Sequence, residues 1–453
     1  MHTYTPRIEE TSRALADHCL DRLRMQAPLD HALTPEQLTE VAGATVTEHG
    51  IGHDAAVRLW TDVLAPACLS IDHPRYLSFI PSAPTKLAAA FDMLVGASSI
   101  YGGSWLEGSG AVYAENQALR WLADLAGLPA GAGGVFVHGG TIGNLSALVA
   151  ARETARRRRG APPRGRWSVA VTAETHSSVK HALQVVMDVD VLDVPGDERG
   201  RMTGPALRAA VETVNDVDRD GLFAVVATAG STNLGIVDDI AGIADVADDH
   251  GLWLHVDGAY GGAGLAAPSI REVYRGVERA DSFIVDPHKW LFAPFDCCAL
   301  IYREPALGRA AHTQHAGYLD PVTVEGEFNP SDYAIQLTRR ARGLPFWFSV
   351  AVHGTAAYVE AVERTLEVTR AGTEMVRAAD HLELLVEPEL SVIVFARRGW
   401  EADDYAGWTA RLLDAQQAFV TPTTHRGRVC TRMAIVNPLT TPEDLQLVVD
   451  SMR

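Results

Sequence analysis

Lysine is scarce in this chain: it occurs only at Lys86, Lys180 and Lys289, and arginine carries nearly all the other positive charge. Any chemistry that needs a primary amine therefore has three candidates. Lys289 stands apart because it follows the apolar run DSFIVDP and is flanked by His288 and Trp290, a poor place to solvate an ammonium. Burial there predicts a lowered pKa and a neutral amine able to attack an aldehyde. A lysine snorkelling to the surface is the other reading of that segment by itself. Asp257, 32 residues earlier, ends the run LWLHVD. A buried carboxylate keeps a pyridine nitrogen protonated, and a protonated pyridine is an electron sink; an aspartate before a glycine also caps turns. The turn Gly139-Gly140-Thr141-Ile142-Gly143-Asn144 opens a helical run. Small residues at a helix N-terminus admit an anion such as phosphate, here against Gly140 and Thr141. His176, in Glu174-Thr175-His176-Ser177-Ser178, offers a flat ring to stack on a heterocycle. Amine, carboxylate, anion cradle and stacking ring are together the parts that a pyridoxal 5′-phosphate (PLP) site requires.

These residues need a scaffold that brings them to one edge. Between about 71 and 355, short β-rich runs (GGVFVHG, WSVAVTAE, LFAVVATAG, LWLHVDGA, DSFIVDP, CCALIYR) alternate with helical stretches such as NLSALVAARETARRR and IAGIADVADDHG. That alternation predicts an α/β fold with a mostly parallel sheet covered on both faces. Ligands of such sheets bind beyond the carboxyl ends of the strands, where the four polar segments fall. Residues 1–70 read as a helical arm, with Thr34 as an N-cap ahead of Glu36 and Gln37. Residues 356–453 read as a small α+β domain that begins with one long helix over TAAYVEAVERTLEVTRAGTEMVRAA.

Bulk properties exclude several classes of function. A chain of 453 residues, 47% hydrophobic and 21% charged, has the balance of a globular protein with a large core. A net charge of -18 opposes binding to nucleic acid, and the basic run Arg156 to Arg159 reads as a solvated helix end. No apolar run reaches the roughly 20 residues of a membrane helix. The start lacks the charged-then-apolar order of a secretory signal, so a cytoplasmic location is expected. The five cysteines show no C-x-x-C or zinc-like spacing, so no metal is expected, and Cys297 and Cys298 read as small buried hydrophobes.

With the four segments in hand, the sequence resembles the group II PLP-dependent amino-acid decarboxylases, a family that includes aromatic-L-amino-acid, glutamate and diaminobutyrate decarboxylases. The combination HVDGAY … DSFIVDPHKWL carries the resemblance, supported by HPRYLSFIPSA, FDMLVGASSIYGGSW, ETHSSVKHA, TAGSTNLGIVDD, TRRARGLPFWF and TRMAIVNP over about residues 70 to 440. The resemblance implies the aspartate-aminotransferase-like fold type I and a homodimer with shared active sites. It implies Lys289 as the Schiff-base lysine, Asp257 as partner of the pyridine nitrogen, and His176 and Ala259 on the two faces of the ring. Thr141, Ile142 through its backbone, and His288 would hold the phosphate, with Thr232 near the lysine. Tyr318, 29 residues after Lys289 in HTQHAGYLDP, matches the loop tyrosine that protonates the α-carbon in family decarboxylases. Aldehyde-forming relatives replace that tyrosine or the stacking histidine; both are present here.

The same matching lines the substrate pocket with Phe79, Ile80 and Ser82 of one subunit and Tyr101, Gly103 and Trp105 of the other. These aromatic or small residues suit an aromatic or bulky apolar side chain, and Gly103, in place of a larger aromatic, predicts room for an indole or a longer substrate. Asp72 would suit a basic side chain and keeps a diamino acid open; Arg75 does not decide for an acidic one. The rivals are another PLP reaction on the same fold (aldehyde synthase, aminotransferase, carbon–carbon lyase) and a PLP-binding protein without catalysis.

Overall fold

A computed structural model of the chain describes residues 2–315 and 327–453. Among the described residues the larger sheet has seven strands: β1 (Gly133–Val137), β2 (Ser168–Val171), β3 (Asp190–Asp193), β4 (Leu222–Thr228), β5 (Trp253–Asp257), β6 (Ser282–Val285) and β7 (Cys298–Tyr302). Their order is β1-β7-β6-β5-β4-β2-β3. Only β7 runs against its neighbours, β1 and β6, and all other pairs are parallel. The carboxyl ends of β1, β2, β4, β5 and β6 therefore share one edge.

Both faces of this sheet are covered, which is why β4 reads as an unbroken apolar run with every residue buried. Val225, Ala227, Val256 and Phe283 pack on one face, and Val226, Trp253, Ile284 and Leu300 on the other, the two-residue alternation of a strand. Phe223 and Ala224 break the alternation by sharing a face. The cause is a register shift against β2, between Ser168 and Val169.

The helix Gly140–Arg159 crosses the sheet closely enough that a Cβ at Gly143 would lie 3.0 Å from both Cys298 Sγ and Ile284 Cγ2. Only glycine lets this helix, and the turn that starts it, sit so near the strand ends. Its last turn holds Arg156 to Arg159, favourable beside the helix carboxyl end, and Arg159 pairs with Asp220 at 2.7 Å. Cys297 and Cys298 are fully buried, and all five cysteines are free.

A second, antiparallel sheet contains β8 (Leu382–Val386), β9 (Val392–Arg397), β10 (Pro422–His425) and β11 (Arg428–Ala434) in the order β10-β11-β9-β8. The long helix Thr355–Ala378 packs on it. Near the start of the chain, Thr34 caps the helix Pro35–Ala42 in a reciprocal capping box with Gln37. The helices Pro6–Arg24, Pro35–Ala42 and His53–Leu59 bury no residue within the chain. No helix of the described residues is long and apolar enough to cross a membrane.

Candidate active site

A cavity of about 260 Å³ lies at the shared edge, and its wall includes Gly140, Thr141, His176, Thr232, Asp257, Ala259, His288 and Lys289. They come from the ends of five strands, β1, β2, β4, β5 and β6, or from the segments that follow them, so the sheet order itself assembles them. Thr228, Asp257 and Ile284 stand side by side at the ends of β4, β5 and β6.

Lys289 closes the turn after β6, donating its N–H to the Asp286 carbonyl at 2.9 Å. Its Nζ lies 3.0 Å from Asp286 Oδ2, and the lysine side chain is 22% exposed against 1% for the aspartate. This pair overturns the expected neutral amine. Burial does push the Lys289 pKa down, but Asp286 and, beyond it, Asp257 outweigh burial and the net shift is upward. Asp286 shows the mirror image: burial pushes its carboxyl up, and Lys289 and His288 bring it below the ordinary value. Before the cofactor arrives the lysine is thus held as an ammonium.

Asp257 is 4% exposed, and both of its oxygens accept hydrogen bonds. The Ala259 N–H donates to Oδ1 and Asn144 Nδ2 to Oδ2, each at 3.0 Å. His176 is exposed on the wall, where its Nδ1 accepts from the Ser178 N–H at 3.3 Å and lies 2.8 Å from the Ser178 hydroxyl. His288 is 7% exposed and packs its ring 4.9 Å from that of Phe295.

At the anion cradle, the Gly140 N–H points to Asp286 Oδ2 at 3.3 Å. Ile142 follows in the first turn of the helix. Its N–H donates to the Gly139 carbonyl at 3.0 Å, because the helix tightens in its first turn, and its side chain packs against the core.

The expected substrate residues do not reach this cavity within one chain. Ile80 is buried in the core, and Ser82 donates its hydroxyl to the Ala293 carbonyl at 2.9 Å. Phe79 is 59% exposed, and Trp105 is half-buried. Tyr101 folds back to donate to the Leu337 carbonyl at 3.0 Å, and a Cβ at Gly103 would overlap its hydroxyl. The room predicted beside Gly103 is therefore filled by the Tyr101 ring. Asp72 is held by Arg22 through two bonds of 2.7 and 3.1 Å, and Arg75 lies 3.4 Å from Asp444. Tyr318 lies outside the described residues.

Residues 35–398 match the family model described as the pyridoxal-dependent decarboxylase conserved domain. The chain belongs to that family. Among curated relatives, the decarboxylase is 30% identical over 390 residues to the aromatic-L-amino-acid decarboxylase of Bacillus atrophaeus, covering 83% of this chain and 79% of the relative. It is 32% identical over 391 residues to the L-2,4-diaminobutyrate decarboxylase of Rhizobium meliloti (strain 1021), covering 84% and 78%. In fold it matches the crystal structure of Oryza sativa TDC with PLP and tryptamine at a TM-score of 0.89 and 24% identity, over 99% of this chain and 98% of the other. The fold is thus the type I α/β fold, the cofactor is PLP, and the reaction class is decarboxylation of an amino acid.

The decarboxylase's own residues fit that cofactor. A Cβ at Gly140 would crowd Ala259 Cβ at 3.1 Å and Asp286 Oδ2 at 3.3 Å, so glycine keeps the cradle open. The Thr228 hydroxyl on the wall is buried without a partner, an acceptor or donor available to a guest. Asn144, Glu174, Thr228, Tyr260 and Asp286 also line the decarboxylase's cavity, and no role was read for them in the sequence. Thr228 and Asp286 obey the same strand-end rule that picked out Asp257. Asn144 gave no such signal, since a polar residue in the first turn of a helix is ordinary. In the second sheet, Arg432 is 7% exposed, donates to the Phe79 carbonyl at 2.8 Å and leaves Nη1 unpartnered; burial pushes its pKa down to about 10.

Proposed function

We propose that this decarboxylase converts an L-amino acid with an aromatic or bulky apolar side chain into the amine and CO₂. The observation that carries the substrate class is the pairing of Asp72 with Arg22 and of Arg75 with Asp444. The two charges that the sequence offered to a basic or an acidic substrate side chain each face an opposite charge within the chain, and freeing either leaves its partner unpaired.

When bound, PLP supplies an aldehyde that captures the substrate amine and a cationic ring that takes up the electron pair left by CO₂. Lys289 would hold the cofactor through Nζ, and Asp286, 3.0 Å away, would accept the proton that Nζ must give up to do so. Asp257 would keep the proton on the ring nitrogen, and His176 and Ala259 would pack on the ring. Gly140, Thr141 and His288 orient the phosphate, and Thr232 lines the lysine end. Tyr318 delivers the proton to the substrate α-carbon, a general-acid role.

We propose a homodimer with shared active sites. Leu15, Leu20, Met25 and Trp60 of the N-terminal segment and Leu94, Leu106 and Tyr113 nearer the sheet are 42–63% exposed, more apolar surface than a lone subunit keeps. A cytoplasmic site of action is consistent with five unpaired cysteines.

Steady-state decarboxylation of tryptophan, tyrosine, glutamate and diaminobutyrate tests the substrate class. The highest kcat/KM is expected for one of the two aromatic acids; a preference for glutamate or diaminobutyrate rejects the proposal.

A further inference from the structure

Behind Asp257 runs a line of buried polar groups that the proposed reaction does not use directly. Asn144 Nδ2 is 3.0 Å from Asp257 Oδ2, and Asn144 Oδ1 is 2.7 Å from His255 Nε2. His255 Nδ1 is 2.8 Å from Ser282 Oγ, which accepts from Trp253 Nε1 at 2.8 Å. All five residues are at most 4% exposed, so water does not compete for these bonds.

The two ends fix where every proton lies. An indole N–H is only a donor, and an ionised carboxylate is only an acceptor. Starting from Trp253, the Ser282 hydroxyl accepts from the indole and donates its own O–H to His255 Nδ1. His255 then carries its proton on Nε2 and donates to Asn144 Oδ1, and the Asn144 amide donates to Asp257. The opposite ordering requires a protonated Asp257, and it makes His255 Nδ1–H a second donor to Ser282. The Ser282 proton then has no acceptor among these groups, a buried hydroxyl hydrogen left unsatisfied.

We infer that Asn144 and His255 are positioning residues, links in a proton-ordered chain from Trp253 that holds Asp257 oriented toward the ring nitrogen of the cofactor. Burial, which drives His255 toward its neutral form, is consistent with this ordering. The chain acts through its alignment: each donor polarises the next, and the last fixes the carboxylate oxygen to which it donates. The inference rests on the role proposed for Asp257.

The test uses purified apoenzyme reloaded with PLP labelled with ¹⁵N in the ring. Asn144→Leu removes the last donor, and Ser282→Ala removes a single oxygen upstream and serves if the first variant does not fold. Asn144→Leu is expected to weaken PLP binding about 10- to 100-fold, the cost of a hydrogen bond to a charged group, and to move the ring-nitrogen resonance toward the unprotonated position. Ser282→Ala is expected to shift both readouts the same way by less, with kcat falling more than KM changes. Folded variants with wild-type PLP affinity and an unmoved ¹⁵N resonance would overturn the chain as a positioning device. A wild-type enzyme whose bound cofactor carries an unprotonated ring nitrogen is a different result, and it overturns the role of Asp257 itself.

Discussion

Lys289 Nζ and Asp286 Oδ2 stand 3.0 Å apart across a turn that begins where β6 ends. The aspartate is buried, so its charge is poorly screened, and it holds the lysine as an ammonium against the pull of burial. The amine must shed that proton to react with an aldehyde, and Asp286 is the group through which the chain controls when it does so.

Replacing Asp286 by Asn is therefore expected to lower the Lys289 pKa. Burial is then opposed only by the weaker influences of Asp257 and Cys298. Below its pKa the neutral fraction of an amine rises about tenfold for each unit that the pKa falls. The rate at which apoenzyme captures PLP near neutral pH should increase accordingly, with its pH midpoint moved downward. A midpoint equal to that of wild type would show that Asp286 does not set the ionisation.

Tyr318→Phe is expected to lower kcat about 10²- to 10⁴-fold, the usual contribution of a positioned general acid. PLP affinity should be unaffected. Amine output measured alongside aldehyde and ammonia gives a second readout, since a carbanion that waits for its proton is open to other fates. Unchanged amine turnover would remove Tyr318 from the mechanism.

Arg339 and Glu115 form an ion pair in which the arginine side chain is fully buried and the glutamate 3% exposed. The arginine also donates to the carbonyls of Gly102 and Phe136, and Glu115 Oε1 accepts from the Gly343 N–H at 2.8 Å. Glu115→Ala leaves a guanidinium buried without its counter-charge, at a cost of about 3–5 kcal/mol. Urea unfolding should show this as a lower midpoint at unchanged slope. A loss no larger than that of a surface ion pair would contradict the burial described.

Burial pushes the His255 imidazole from 6.5 down to about 4, against the opposing influence of Asp257. Between those pH values the unfolded chain binds a proton that the folded protein refuses, so stability rises with pH across the window. The contribution is complete above about pH 6.5 and is lost as the pH falls toward 4. Unfolding free energies measured at intervals from pH 4 to 7 should give a steeper slope for wild type than for His255→Gln. Equal slopes would mean that His255 is charged in the folded state.

Local patterns in the chain were enough to indicate the α/β fold, six strands of the large sheet and the segments that line the cavity. An apolar run such as LFAVVAT, a capping threonine before a helix and a polar residue just past a strand each depend on neighbours a few positions away. Strand β3 was not legible because an edge strand of four residues with two aspartates lacks an apolar signature. The ionisation of Lys289 reads opposite ways in the two descriptions: its apolar flanks argue for a neutral amine, whereas the carboxylate beside it argues for a charged one. Asn144 meets Asp257 across 113 positions and His255 across 111, so no spacing in the sequence marks their bonds. The fold decided these matters because electrostatic and hydrogen-bond partners are chosen by distance in space, and the sheet order β6-β5-β4 brings together strand ends that the chain itself keeps far apart.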